Sequence, residues 1–234
     1  MLNGLIYLVF FVPLTGICSL LAVVGSLVDS SGAFAHRCAL FWSRVGLMMA
    51  GVRLEVVGSE NVPAGEPVIF MGNHQGNFDI LVLSRAIPRR FSWLAKEELF
   101  RIPLFGPAMR RAGYIPIDRS DGRKALRSLD AAAKRIKAGA SVIVFPEGTR
   151  TADGSLLPFK KGGFVLAERA GVPIVPFTIN GSLRVNPRNT VKLVRGAGIV
   201  VRFGAPIPTS GDGALKGAPL MERVRSAIEA GLEG

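Results

Sequence analysis

One of the two histidines in the chain, His74, lies five residues before a carboxylate, Asp79, and directly follows an apolar run. Five residues of helix turn through about 500°, so the two side chains can meet only if the residues between them form a turn, which Gly76 and Asn77 suit. Asp79 would then hydrogen-bond one imidazole nitrogen, and the other nitrogen would be free to take a proton from a hydroxyl group. No serine or cysteine lies between them, so that hydroxyl would belong to a substrate. The alternative is a structural pair in which Asp79 caps a helix and His74 is a loop residue.

A second candidate site is the stretch FPEGTR, residues 145–150, which follows the most apolar strand pattern in the chain. Ligands of α/β sheets bind at the carboxyl ends of strands. Glu147 offers a carboxylate that can accept a hydrogen bond from a hydroxyl group, Arg150 offers a planar fork for phosphate, and Gly148 permits an unusual backbone turn. The alternative is a structural Glu–Arg pair.

Two further stretches are basic. Lys160 and Lys161 precede a Gly-Gly step at an expected helix start, where backbone amides attract anions, although a solvated basic loop has the same pattern. The stretch 95–119 mixes proline and phenylalanine with cations, which suits the rim of a site facing anionic lipid. Its cations are Lys96, Arg101, Arg110, Arg111 and Arg119. Arg119 follows an extended run and is expected to point into a site. Arg110 and Arg111 also fit a solvated charged face.

The elements that must position these residues alternate between strands and helices. Eight short apolar runs after Gly51 predict strands, and several are the continuous Val/Ile/Phe runs typical of strands covered on both faces. The runs are RLEVVG, PVIFMGN, FSWLA, GYIPID, SVIVFPEG, PIVPFTING, TVKLV and IVVRFG. Helices are expected within 121–139, from about 163 to 170 and from about 218 to 232. This alternation predicts one α/β domain over residues 51–234.

Residues 1–50 have the pattern of a membrane-associated helical hairpin. No charged side chain occurs from Met1 to Val28, and one helix of that length would span about 40 Å, which is longer than a bilayer core of about 30 Å. Pro13 predicts a kink in this helix. Residues 29–32 predict a turn into a second apolar stretch, 33–50.

The second apolar stretch carries Arg37 and Arg44 on one helical face. Placing them at the bilayer centre would cost roughly 2.5–3.5 kcal/mol each, so we expect this helix to lie at the membrane interface with its arginines toward phosphates. Two alternatives stay open. One is a cleaved signal peptide, since AFA at residues 33–35 resembles a cleavage site, and the other is a single-span anchor.

The net charge of +12 calls for an anionic partner, which would be nucleic acid, an anionic bilayer or a phosphorylated substrate. No basic run is interleaved with aromatic residues, and this disfavours nucleic acid. Cys18 and Cys38 both lie in apolar sequence and are expected to be reduced, buried thiols rather than a disulfide or a metal site.

Taken in order, four blocks of the chain resemble the lysophosphatidic acid acyltransferase family, the 1-acyl-sn-glycerol-3-phosphate O-acyltransferases of bacteria and their relatives. The blocks are NHQGNFD (73–79), GYIPIDR (113–119), FPEGTR (145–150) and VPIVPF (172–177). The family pattern is Asn-His, four residues and Asp, and the third block matches in full. One departure is Thr151, where the family often has serine; both carry a hydroxyl group.

The resemblance implies a fold and a set of roles. The fold is the glycerolipid acyltransferase fold, an α/β fold with a mixed central sheet flanked by helices and an N-terminal two-helix membrane-associated hairpin. His74 would be the general base and Asp79 the residue that orients it. The substrate-binding residues implied are Asn73, Lys96, Arg119, Glu147, Gly148, Thr149, Arg150 and Lys160. Neither a metal nor another cofactor is expected.

The reaction implied is transfer of a fatty acyl group from acyl-CoA or acyl carrier protein to the free hydroxyl of 1-acyl-sn-glycerol-3-phosphate, forming phosphatidic acid. It would take place on the cytoplasmic face of the inner membrane, with the bilayer and the lysophospholipid as partners. Amides near Gly72 or Gly148 are expected to stabilise the oxyanion. The alternatives are another acceptor (a lyso-ornithine lipid or a different lysophospholipid), a thioesterase, or a non-catalytic membrane-anchored lipid-binding protein.

Overall fold

The computed structural model describes residues 1–118, 122–187 and 190–232. The helices are α1 (Leu2–Gly25), α2 (Ala33–Ala50), α3 (Phe78–Ala86), α4 (Phe105–Arg111), α5 (Gly122–Lys137), α6 (Gly162–Ala170), α7 (Ser182–Val185) and α8 (Gly217–Glu229). The strands are β1 (Arg53–Val57), β2 (Ile69–Gly72), β3 (Ser92–Lys96), β4 (Ile115–Ile117), β5 (Val142–Val144), β6 (Ile174–Asn180) and β7 (Gly198–Phe203). Short 3₁₀ turns occur at Ser59–Asn61 and Glu97–Arg101.

Within the described residues the strands form one seven-stranded sheet in the order β1-β7-β6-β2-β5-β3-β4. The five strands from β6 to β4 in this order are parallel, whereas β7 is antiparallel to β6 and parallel to β1. The predicted α/β fold with a mixed central sheet is therefore confirmed. Because β2 lies between β5 and β6, the carboxyl ends of these three strands are adjacent at one edge of the sheet.

Helices cover both faces of the sheet because successive side chains on a strand point in opposite directions. On β2, Phe70 packs with the helices α1 to α4 on one face. Its neighbours Ile69 and Met71 pack with α5, α6 and α8 on the other face. Every residue of β2 and β6 is buried, which explains their continuous apolar sequences.

One of the eight predicted strands is wrong. Residues 190–194 have no regular secondary structure, although their apolar residues alternate as in a strand. Their backbone lies against the start of α1, so closely that a Cβ atom at Gly4 would collide with the carbonyl of Val191. The N–H of Val194 donates to the carbonyl of Val185 at 2.9 Å rather than to a strand. Leu193 is buried, whereas Val191 and Val194 are exposed. The sequence pattern does not distinguish this irregular segment beside a helix from a strand.

The first two helices form the predicted hairpin. α1 is continuous through its internal proline, and the indole N–H of Trp42 on α2 donates to Oγ1 of Thr15 on α1 at 2.8 Å. The predicted turn at 29–32 is present, and its Asp29 carboxylate accepts the backbone N–H of Phe34 at 2.6 Å. The hairpin shares one apolar core with the sheet domain, since residues of both belong to the same buried cluster.

The hairpin also presents a large apolar surface to the outside. In the described part of the chain, α1 is the one helix long and apolar enough to cross a membrane by length and composition. Its exposed large side chains are Leu2, Leu5, Ile6, Leu8, Val9, Phe10, Val12, Ile17, Leu20, Leu21 and Val24. On α2, the exposed Arg37 and Arg44 share a face with the exposed Phe41 and Met48, as expected of a helix at a membrane interface. Both helices thus favour membrane association.

Candidate active site

The candidate residues converge on the edge of the sheet formed by the carboxyl ends of its parallel strands. β2 ends at Gly72, just before the NHQGNFD block, and β5 ends at Val144, just before the FPEGTR block. β3 ends at Lys96. Ligands of open α/β sheets bind at this edge, so the topology brings together sequence blocks that are far apart in the chain.

His74 and Asp79 are in direct contact. The distance from Nδ1 of His74 to Oδ2 of Asp79 is 2.6 Å, which confirms the predicted hydrogen bond. The residues between them leave the strand and start α3, whose first turn contains Asp79. Nε2 is then the imidazole nitrogen available to a substrate, and the ring lines a cavity with 17% of its side chain exposed.

The Asp79 carboxylate is fully buried and surrounded by hydrogen-bond donors. Its Oδ2 accepts the backbone N–H of Gln75 at 2.7 Å and of Gly76 at 2.9 Å, in addition to the imidazole. Its Oδ1 accepts a hydrogen bond from the hydroxyl of Ser182, which begins α7 after β6. A carboxylate held in this way keeps its position, and it orients the imidazole.

Ser182 was not among the predicted site residues. It lies 103 positions from Asp79 in the sequence, and its hydroxyl is buried. The one signal that the sequence offers is position: a small polar residue after Gly181 follows a strand that is parallel to the two motif-bearing strands. Such a residue lies at the same edge of the sheet.

The His74 ring is also fixed from one side by an aromatic residue. Its centroid lies 3.9 Å from that of Phe145, with an angle of 8° between the planes. Phe145 in turn packs against Trp93 and Phe177. Because one face of the imidazole is covered and one nitrogen is bonded, the ring has little freedom to rotate.

Glu147 was predicted to bind substrate, but the structure places it elsewhere. Its side chain is buried, Oε1 accepts the backbone N–H of His74 at 2.8 Å, and Oε2 accepts that of Leu157 at 2.9 Å. Burial raises the pKa of Glu147, and these two hydrogen bonds oppose that shift. The carboxylate therefore holds the backbone of the general-base candidate rather than facing a ligand.

Asn73, a second predicted substrate-binding residue, is also turned inward. Its amide oxygen accepts the N–H of Ile179 at 2.7 Å, and its amide nitrogen donates to the Ile179 carbonyl at 2.8 Å. These bonds extend the pairing of β2 with β6 beyond Gly72, where the strand ladder stops. Asn73 thus fixes the backbone from which His74 projects.

The remaining residues of FPEGTR lie beside the cavity. Gly148 has a positive φ of 71°, and a Cβ atom there would lie 3.0 Å from Nζ of Lys160. Thr149 and Arg150 line the cavity, and Arg150 donates to the side-chain oxygen of Asn77. The N–H of Gly148 donates to the Phe145 carbonyl at 3.0 Å, so this amide does not serve the oxyanion as predicted.

Of the predicted cations, Lys96 lies at the cavity and Arg119 cannot be placed. Lys96 is exposed at the end of β3 and lines the same cavity. Arg119 lies outside the described residues; β4, which precedes it, ends at Ile117. Within the described ranges, no group of three or more His, Cys, Asp or Glu side chains is placed to hold a metal ion.

The cavity has a volume of about 690 Å³. Most of its wall is apolar and comes from the four helices on one face of the sheet, including Leu8 and Phe11 of α1, Trp42 of α2, Leu81 of α3 and Met109 of α4. His74, Lys96, Thr149 and Arg150 add polar groups. A largely apolar cavity whose wall also carries an imidazole and two cations suits a lipid with a charged head group.

Comparisons with known proteins agree with this geometry. An acyltransferase family model matches residues 53–180. The chain is 34% identical over 175 residues (74% of this chain and 50% of the relative) to the chloroplastic 1-acyl-sn-glycerol-3-phosphate acyltransferase BAT2 of Brassica napus. It is 34% identical over 219 residues (90% and 71%) to the 1-acyl-sn-glycerol-3-phosphate acyltransferase of Saccharomyces cerevisiae. The chain spans about half the length of the chloroplast relative.

A solved structure is similar along almost the whole chain. The crystal structure of the 1-acyl-sn-glycerophosphate acyltransferase PlsC from Thermotoga maritima superposes with a TM-score of 0.83 at 25% sequence identity. The match covers 98% of this chain and 93% of that one. The likeness therefore includes the N-terminal hairpin as well as the sheet domain.

Proposed function

The chain belongs to the acyltransferase family that includes the 1-acyl-sn-glycerol-3-phosphate acyltransferases, and on that premise we propose that it acylates 1-acyl-sn-glycerol-3-phosphate to phosphatidic acid. The donor is a thioester, acyl-CoA or acyl carrier protein. The observation that carries the proposal is the His74–Asp79 contact of 2.6 Å at the wall of an apolar cavity that also contains cations. Neither a metal nor another cofactor takes part in the proposed reaction.

His74 acts as the general base. Nε2 takes the proton of the acceptor hydroxyl as its oxygen attacks the thioester carbonyl carbon, which gives a tetrahedral oxyanion. When the carbon–sulfur bond breaks, the imidazolium returns the proton to the leaving thiolate, so the products are an ester and a thiol. The Asp79 charge stabilises the imidazolium between the two proton transfers.

Three buried residues position this base. Ser182 and the turn amides hold the Asp79 carboxylate, Glu147 holds the His74 backbone N–H, and Asn73 holds the strand end. None of these bonds needs to form during the reaction. The energetic cost of ordering the base is therefore met on folding, which is the preorganisation that efficient acid–base catalysis requires.

The acceptor phosphate is bound by Arg150 and Lys96 at the cavity wall and by Lys160 beside Gly148. Arg150 offers two N–H groups in one plane, which match two phosphate oxygens, and Lys96 and Lys160 add charge without fixed geometry. Gly148 keeps the space beside Lys160 free of a side chain. Arg119 is assigned to the same phosphate on its sequence block alone.

The apolar part of the cavity takes a fatty acyl chain, and the hairpin keeps the site at the bilayer. The exposed apolar side chains of α1 enter one leaflet, and Arg37 and Arg44 of α2 face its lipid phosphates. The proposed location is the inner membrane, with the sheet domain on its cytoplasmic side. Acceptor and product then stay in the membrane while the thioester arrives from water.

The test is thiol release by the purified full chain with acyl-CoA and, separately, acyl carrier protein as donor, with and without lysophosphatidic acid, and with the product identified by mass. We expect release that depends on the lipid and a product that is heavier by one acyl group. Release without lipid would identify a thioesterase, and no release with either donor would favour a binding protein. A panel of other lysolipids at equal concentration tests the acceptor.

A further inference from the structure

The connection between β3 and α4 presents apolar side chains outward. The 99–105 turn runs from within the 3₁₀ turn Glu97–Arg101 to the first residue of α4. In it, Leu99 is 38% exposed, Ile102 44% and Leu104 48%. Pro103 between them is exposed as well. An aqueous surface seldom carries so many large apolar side chains within six residues, so such a patch points to a partner that is itself apolar.

The turn is held in shape from inside. Phe100 is buried, and the guanidinium of Arg110 donates to its carbonyl at 2.8 Å while lying 5.3 Å from the centre of its ring. Gly106 crosses so close that a Cβ atom there would collide with the Phe100 backbone. The apolar side chains are therefore presented by a braced turn.

Leu104 has a backbone conformation that leucine rarely adopts. It is the one non-glycine residue with positive φ in the described part of the chain, at φ 61° and ψ −52°, and the Phe105 N–H bonds to the Pro103 carbonyl at 2.7 Å. This is a classic-type γ-turn, which is rare and strained. Glycine would relieve the strain, and the half-exposed side chain adds little packing in return. The leucine side chain is thus better explained by a contact made outside the fold.

The surrounding surface identifies the partner. α4 packs directly against α1, whose outer face is apolar, and the turn and α1 both line the lipid cavity through Leu99 and Leu8. Arg101 within the turn and Arg111 at the end of α4 are exposed, and they suit anionic head groups. The apolar patch thus lies beside a helix whose exposed face already favours the bilayer.

We propose that the 99–105 turn is a second membrane contact, which inserts Ile102 and Leu104 into the leaflet beside α1. The proposal rests on the membrane-bound function above and adds to it a named insertion point on the sheet domain. With α1 on one side and this turn on the other, the cavity opens toward lipid rather than toward water. Acceptor can then enter sideways from the leaflet.

Depth in the membrane provides the direct test. Leu104→Trp and, as a matched control, Leu126→Trp are bound separately to phosphatidylglycerol-containing vesicles made with or without brominated acyl chains. Leu126 is 44% exposed on α5, which covers the opposite face of the sheet. The tryptophan fluorescence of the unsubstituted chain, which comes from Trp42 and Trp93, is subtracted from that of each variant. We expect the added emission at 104 to be quenched and that at 126 to be unaffected; equal quenching at the two sites would overturn the proposal.

A second measurement uses loss of the contact. In the Ile102→Ser/Leu104→Gly chain, we expect vesicle binding to weaken about three- to tenfold. In the single variant Leu104→Gly, we expect the melting temperature not to be lowered. Neither residue lines the cavity. Unchanged binding would contradict the proposal. Neither readout involves acyl transfer, so a chain that inserts at 104 but transfers no acyl group would refute the proposed function and leave this inference intact.

Discussion

The two halves of the candidate site are built differently. The His74–Asp79 pair is anchored by buried groups, each with its partner inside the fold. The cations Lys96 and Lys160 are exposed, and Arg150 is half-buried. A proton transfer requires atoms placed within a few tenths of an ångström, whereas a mobile lipid phosphate can be captured by charges that adjust to it.

This contrast predicts which kinetic constant each half controls. Substitutions in the buried half are expected to lower kcat with little change in the KM for the acceptor. Substitutions among the cations are expected to raise the KM for the acceptor and to increase its dependence on salt.

The largest effect is expected for His74→Ala. Removal of the base should lower kcat by about 10²–10⁴-fold, while melting temperature and vesicle binding are retained, because the imidazole is partly exposed and its backbone bonds remain. Thiol release at saturating acceptor measures the change. Transfer at the unsubstituted rate would remove His74 from the mechanism, and with it the proposal.

The next largest effect is expected for Arg150→Ala. Loss of a hydrogen-bonded charge pair with phosphate should raise the KM for lysophosphatidic acid about 10- to 100-fold and change kcat less. Arg150→Lys is the matched control, because it keeps the charge but loses the planar fork, and an intermediate KM is expected. A fall in kcat at constant KM would place Arg150 in the other half of the site.

The sequence alone predicted the contact in the first half and only part of its surroundings. The residues between His74 and Asp79 suit a turn that brings the two side chains together, although a structural pair fits the same spacing. The inward orientation of Asn73 and Glu147 does not follow, since the residue type at a strand end does not specify whether the side chain faces a ligand or the neighbouring backbone. Asparagine and glutamate side chains can both bind a ligand or hold a neighbouring backbone group.

The cavity and the hydrogen bond from Ser182 to Asp79 depend on contacts between distant segments. The apolar wall forms because α1 and α2 pack on α3 and α4, and no local pattern in the sequence indicates an enclosed space between them. Residues 190–194 show the same limit: their alternation fits a strand, but they have no regular secondary structure and their backbone lies against the first helix. Sheet class and strand ends were predictable because they rest on local patterns.

A smaller effect is expected for Ser182→Ala. Loss of its donor leaves Oδ1 of the buried Asp79 carboxylate without that hydrogen bond, so the carboxylate and the imidazole are held less firmly. We expect a few-fold loss of kcat with little change in the KM for the acceptor. Ser141→Ala is the control, because that buried serine accepts the N–H of Val68 far from the site. A raised KM with kcat unchanged would show that Ser182 does not position the base.

The smallest effect is expected in the pH dependence of stability through Glu147. Burial raises the pKa of its carboxyl group in the folded chain, so folding takes up a proton at pH values above the ordinary glutamate value of about 4.3. The folded state then binds more protons than the unfolded state, and the free energy of unfolding falls as pH rises through that window. Compared with Glu147→Gln, which does not titrate, the stability advantage of the unsubstituted chain should therefore shrink with rising pH and then level off. Denaturant unfolding of both chains at several pH values measures it. An advantage that grows with pH would mean that the hydrogen bonds from His74 and Leu157 lower the pKa of Glu147 more than burial raises it. The ionised carboxylate would then be the form of Glu147 that stabilises the buried half of the site.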